Sequence, residues 1–77
     1  MGVSFKLHCE SLGLQLRDDD YTLIKWRLDR LPPPLHKRVL ERYTAVYLEE
    51  LEKCNPLNYA RHAIARHYAN RYIKLYR

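Results

Sequence analysis

An all-α fold is predicted: one small domain over residues 1–77, a three-helix bundle preceded by a short N-terminal helix or extended element. Three observations predict it. Asp18-Asp19-Asp20, Pro32-Pro33-Pro34 and Cys54-Asn55-Pro56 punctuate the chain, and each is a helix-starting signal. Apolar residues between these points recur at steps of three and four. Only two glycines interrupt the 77 residues, while 47% apolar and 30% charged content describes an ordinary globular chain.

The first 17 residues admit two readings. Val3, Phe5, Leu7 and Cys9 alternate, then Leu12, Leu14 and Leu16 alternate in the other phase, which suits a hairpin turning near Glu10-Ser11. A short helix ended by Gly13 fits slightly better. In both, the apolar residues cover the open side of the helices that follow.

The next segment is predicted helical from about Asp19 to Leu31, with the acidic run at its positive end. Tyr21, Ile24, Leu28 and Leu31 form its apolar stripe. Leu23 and Trp26 lie off that stripe; a lone Trp in a small protein is more often core than anchor. The three prolines make a rigid corner, a simpler role than display to a proline-binding module.

A second long helix is predicted from Pro34 to Lys53, burying Leu35, Val39, Tyr43, Val46 and Tyr47, with Leu40 and Leu51 widening the sector. Its charges oppose the helix dipole: His36, Lys37 and Arg38 at the positive end, Glu49, Glu50 and Glu52 at the negative one. Two explanations stay open. The glutamates pair with the following helix, or His36, Lys37, Arg38 and Arg42 join Arg27 and Arg30 as a second basic patch.

The last helix is predicted from Pro56 to Arg77. Projected at about 100° per residue, it places Leu57, Ala60, Ile64, Tyr68, Tyr72 and Leu75 inward, and Tyr59, His62, Arg66, Asn70, Ile73 and Arg77 outward. This segment carries the whole net charge of +5. From Met1 to Lys53 nine basic residues cancel nine acidic ones, whereas Cys54 to Arg77 holds no acid and five cations, Arg61, Arg66, Arg71, Lys74 and Arg77. Such asymmetry points to an anionic partner, nucleic acid first and an acidic protein surface or membrane behind it.

On that outward side, Arg66 and Asn70 one turn apart are the residue types that pair with guanine and adenine edges. Arg61, Arg71 and Lys74 flank them as phosphate contacts, with Arg77 beyond. Replacing Arg66 and Arg77 by Ala is expected to weaken binding without unfolding the domain.

Enzymatic readings fare poorly. Tyr68 and Tyr72 share the spacing of paired nucleophilic tyrosines, but no His-x-His cluster accompanies them and core packing explains both. His8-Cys9 and the pair His62 and His67 lack metal-ligand spacing. No cofactor is expected. Cys9 and Cys54 are too few for a disulfide-stapled secreted domain, so reduced thiols and a cytoplasmic setting are expected. No apolar run reaches membrane-spanning length, and Lys6 breaks the myristoylation pattern opened by Met1-Gly2.

Leu28-Asp29-Arg30-Leu31-Pro32, then Leu35, Val39, Leu40, Arg42 and Tyr43, then Ala69-Asn70-Arg71, resemble a helical segment of replication-initiator proteins of temperate tailed phages. The resemblance covers about 45 residues and includes no part of the nickase domain of those initiators. It implies a phage or mobile-element setting and an accessory DNA-binding domain without nicking activity. A second function class stands beside it: a small adaptor or inhibitor docking on a host protein through Leu23, Trp26, Arg30 and Leu48. Leu48 reads as an apolar residue stranded on a polar side, and with Ile73 it offers a homodimer contact.

Overall fold

Four helices account for the regular structure of residues 5–76, the part of the chain that the computed structural model describes: α1 (Phe5–Ser11), α2 (Asp18–Leu28), α3 (Pro33–Lys53) and α4 (Arg61–Leu75). No strand occurs among the described residues, so the helical alternative for the N-terminal element replaces the hairpin. Val3, one residue of that hairpin pattern, lies outside them.

Gly13 ends α1 by adopting a left-handed φ of 84°, a conformation that costs other residues more. The chain then folds back so that Gly13 donates to Glu10 at 3.1 Å and Leu14 to Cys9 at 3.0 Å. Cys9 and Leu14 are thereby buried on either side of the turn. Phe5 meets Tyr21 and Tyr43 edge-on, at 6.4 and 6.3 Å between ring centres, which ties α1 to both α2 and α3. Burial lifts the Cys9 thiol to about 11, aided by Glu10, leaving it unreactive.

Arg17 is the N-cap of α2, and Asp20 in the first turn accepts its backbone N–H at 2.7 Å. The acidic run thus caps from inside the helix, which starts one residue earlier than expected. It also ends three residues earlier. Arg30 and Leu31 donate to Arg27 and Leu28 at 3.1 and 3.0 Å in tighter turns, because a residue preceding proline disfavours helical geometry. Ile24 is buried, and Tyr21, Leu23, Leu28 and Leu31 pack against the core.

Pro32 caps α3, with Pro33 and Pro34 in positions that need no amide donor. Val39, Tyr43 and Tyr47 from its inner side are fully buried. Part of the opposed charge on α3 pairs within the helix itself. Lys37 pairs with Glu41 at 3.9 Å, Arg42 with Glu49 at 4.0 Å and Lys53 with Glu50 at 3.1 Å, and among the described residues none of Glu49, Glu50 and Glu52 pairs with the last helix, one of the two explanations left open. His36 donates to the Leu31 carbonyl at 2.9 Å and so stitches the proline corner.

The last helix starts at Arg61, five residues later than predicted from Pro56. Two asparagines explain the delay. Asn55 Oδ1 accepts from Leu57 and Asn58 Oδ1 from Ala60, each at 2.9 Å, so side chains capture amides that a helix would need. α4 lies chiefly along α3 and also packs on α2.

Candidate nucleic-acid interface

Alanines decide how α4 docks. Ala65, Ala69 and Ile73 are fully buried, and the two small residues let α4 approach the large Tyr43 and Tyr47 rings of α3. Burying Ile73 alone contributes about 1.5–3 kcal/mol. The inward stripe expected from the sequence is therefore misplaced. Leu57, Tyr68 and Leu75 are exposed, and Ile73, expected outside, is core. A homodimer contact through Ile73 is excluded by the same burial.

Arg66 and Asn70 are corrected with it. They border the buried line and reach Asp20, which is 3% exposed. Arg66 Nε donates to Asp20 Oδ2 at 2.7 Å, and Asn70 Nδ2 donates to Asp20 Oδ1 at 2.8 Å. The Tyr43 hydroxyl donates to Asn70 Oδ1 at 2.6 Å. Burial works against the Asp20 charge, but the Arg66 hydrogen bond, the Arg17 amide, Asn70 and the Arg66 charge outweigh it and hold the carboxyl below its usual range. Arg66 and Asn70 are thus structural anchors. Removing one partner of such a part-buried pair should cost up to about 3–5 kcal/mol, so Arg66→Ala is expected to destabilise the domain rather than only weaken binding.

A second polar chain runs alongside. Tyr47 Oη accepts the Gln15 amide at 3.0 Å and lies 2.6 Å from His62 Nδ1. With its oxygen already accepting, the phenol donates to a neutral imidazole. Burial and the neighbouring Arg61 lower the His62 pKa, which favours that neutral form. Asp20, Tyr43 and Tyr47 escaped the sequence reading of the site, and His62, expected on the outward face, is bonded to Tyr47 instead. The available signal was the pair of tyrosines one turn apart on a buried face, whose hydroxyls demand polar partners.

The solvent side of α4 carries His67, Arg71 and Lys74, all exposed, with Arg61 half-buried near the helix start. Arg77 lies outside the described residues. Among the described residues no acidic group comes within 4.0 Å of Arg61, Arg71 or Lys74. A shallow depression there is lined by Ala63, His67, Arg71 and Lys74, with Arg66 and Asn70 at its inner edge. On the adjoining side, a groove against α3 is walled by Tyr68, Tyr72, Tyr76 and Val46. Arg71 and Leu75 line both.

The alternative docking residues separate. Trp26 is 45% exposed rather than buried, and the Arg30 guanidinium stacks on its ring at 4.0 Å while donating to the Trp26 carbonyl at 3.0 Å. Leu23 and Leu48 are half-buried against the core. Leu48 is therefore packed, not stranded, because the α3 apolar sector is wider than a single stripe.

Among the described residues no helix is long and apolar enough to cross a membrane, and no three His, Cys, Asp or Glu side chains gather as metal ligands. No protein-family model, curated protein or solved structure matches the chain.

Proposed function

We propose that the chain is a non-enzymatic accessory module that binds nucleic acid through the solvent side of α4, with Arg71 and Lys74 on phosphates. His67 stands beside them, and Arg61 extends the strip. The observation that carries this reading is the set of unneutralised cations on α4, in a segment without one acidic residue. Phosphate contacts supply most non-specific affinity, and they require cations not already paired. The preference for DNA and for a phage or mobile-element setting rests on the resemblance to replication initiators, and the cytoplasmic setting on the two cysteines read as reduced thiols. Arg66 and Asn70 serve from behind, fixing the helix that presents the strip.

Salt dependence tests it. Affinity for a mixed-sequence oligonucleotide should fall steeply between about 50 and 200 mM salt, and Arg71→Ala with Lys74→Ala should reduce the log–log slope by roughly two. An unchanged slope in that double variant refutes the reading. A protein-binding adaptor is the second reading, favoured by the exposed Trp26 and its stacked Arg30. It requires red-shifted, quenchable Trp26 emission and a partner complex that survives salt but is lost in Trp26→Ala.

A further inference from the structure

Resting on the reading of α4 as a phosphate-binding face, we infer that its ligand is single-stranded, pyrimidine-rich DNA, with phosphates on the His67–Arg71–Lys74 side and bases turned into the neighbouring tyrosine groove. Three observations converge on a strand with its bases unstacked.

The first is what the exposed face lacks. Reading a duplex major groove takes bidentate donors such as Arg or Asn aimed at base edges. The residues of that kind at the centre of α4, Arg66 and Asn70, are spent on Asp20. The exposed cations that remain, Arg71 and Lys74, keep no Asn or Gln partner to read adenine, so they suit phosphate more than base sequence.

The second is what the groove holds. Tyr68 and Leu75 are 42% and 65% exposed, and with Tyr72 and Tyr76 they wall an open, largely apolar trough of ≈ 460 Å³ between α3 and α4. Aromatic faces beside cations are the elements that bind single strands, since every base has a π face to stack. Glu50, the one acid lining the trough, is paired with Lys53 at 3.1 Å. Tyr59, fully exposed just ahead of α4, adds a further ring at the helix entrance.

The third is spacing. Tyr68 and Tyr72, four residues apart, are separated by about 6 Å along the helix axis. Stacked bases in a duplex strand rise only about 3.4 Å, so successive bases meet successive tyrosines only when pulled apart. Arg71 and Leu75 form the ridge between trough and basic depression, which puts a phosphate contact beside the bases it serves. A pyrimidine-rich strand fits best, because it gives up its weak stacking at least cost, and the choice of DNA follows the proposed function.

Fluorescence anisotropy on the full chain tests this with a labelled oligothymidylate, a DNA duplex of equal length and an oligouridylate, all at one salt concentration. The oligothymidylate should bind at least about fivefold more tightly than the duplex. Tyr68→Ala should lose at least about fivefold on the single strand and little on the duplex, whereas Tyr68→Phe should retain the wild-type preference. Tyr68 is outside the core, and unchanged melting of both variants guards against misfolding as the cause. Duplex binding as tight as single-strand binding, or indifference to Tyr68→Ala, overturns the inference while leaving the phosphate reading intact. Tighter binding of oligouridylate overturns the choice of DNA. No binding to any of the three overturns the phosphate reading itself.

Discussion

The two sides of α4 carry the same kinds of side chain to opposite ends. Arg66 faces a buried carboxylate and is consumed by it, whereas Arg71, five residues on, faces solvent with no described acid within 4.0 Å. Net charge alone does not distinguish them. A cation becomes a binding group only where the fold withholds an internal partner, and here Asp20, 46 residues away in sequence, decides which arginine is withheld.

The sharpest way to break this contrast is to remove Asp20. Asp20→Ala leaves Arg66 and Asn70 without an acceptor in a part-buried site and should cost about 3–5 kcal/mol. In a domain of this size that lowers Tm by at least roughly 12 °C, read by circular dichroism. A loss under about 1 kcal/mol would mean the pair is a surface-like contact, and Arg66 would return as a binding residue.

Next in size is the alanine seam that turns α4. Ala69→Leu forces bulk between α4 and the Tyr43 and Tyr47 rings and should cost about 1–3 kcal/mol in urea unfolding. If Ala69→Leu is neutral, the seam is loose and the outward stripe loses its fixed orientation.

Smaller still is the contribution of His62, which sharpens the comparison through pH. Its folded pKa lies below the ordinary 6.5, so as pH falls below that value the unfolded chain takes up the proton first and stability drains away. Asp20 acts in a separate window. Its folded pKa lies below 3.8, so its contribution is present above that value and is lost only as pH falls further. Wild-type Tm should therefore drop between about pH 7.5 and 5.5, and His62→Gln should flatten that drop. An unaltered drop in His62→Gln assigns it to another group.

What the sequence revealed follows the range of each signal. The acidic run and the prolines act within one turn of chain, so α2 and α3 were legible to within a few residues. Asn55 and Asn58 also act locally, but they compete with the helix rather than start it, and Pro56 masked them. The phase of α4 was illegible for a different reason. Its buried line consists of Ala65, Ala69 and Ile73, a weak apolar signal beside Leu57, Tyr68 and Leu75, which the fold leaves exposed. Arg66 read as outward because burying a guanidinium is costly, and only a partner on α2 offsets that cost. Arg71 and Lys74 were placed as phosphate contacts from charge alone, and the fold leaves both exposed.

Urea unfolding of Arg66→Ala and Arg71→Ala side by side tests the division of α4 most directly. Arg66→Ala should lose about 3–5 kcal/mol and Arg71→Ala no more than about 0.5 kcal/mol. Equal losses in the two variants would contradict it.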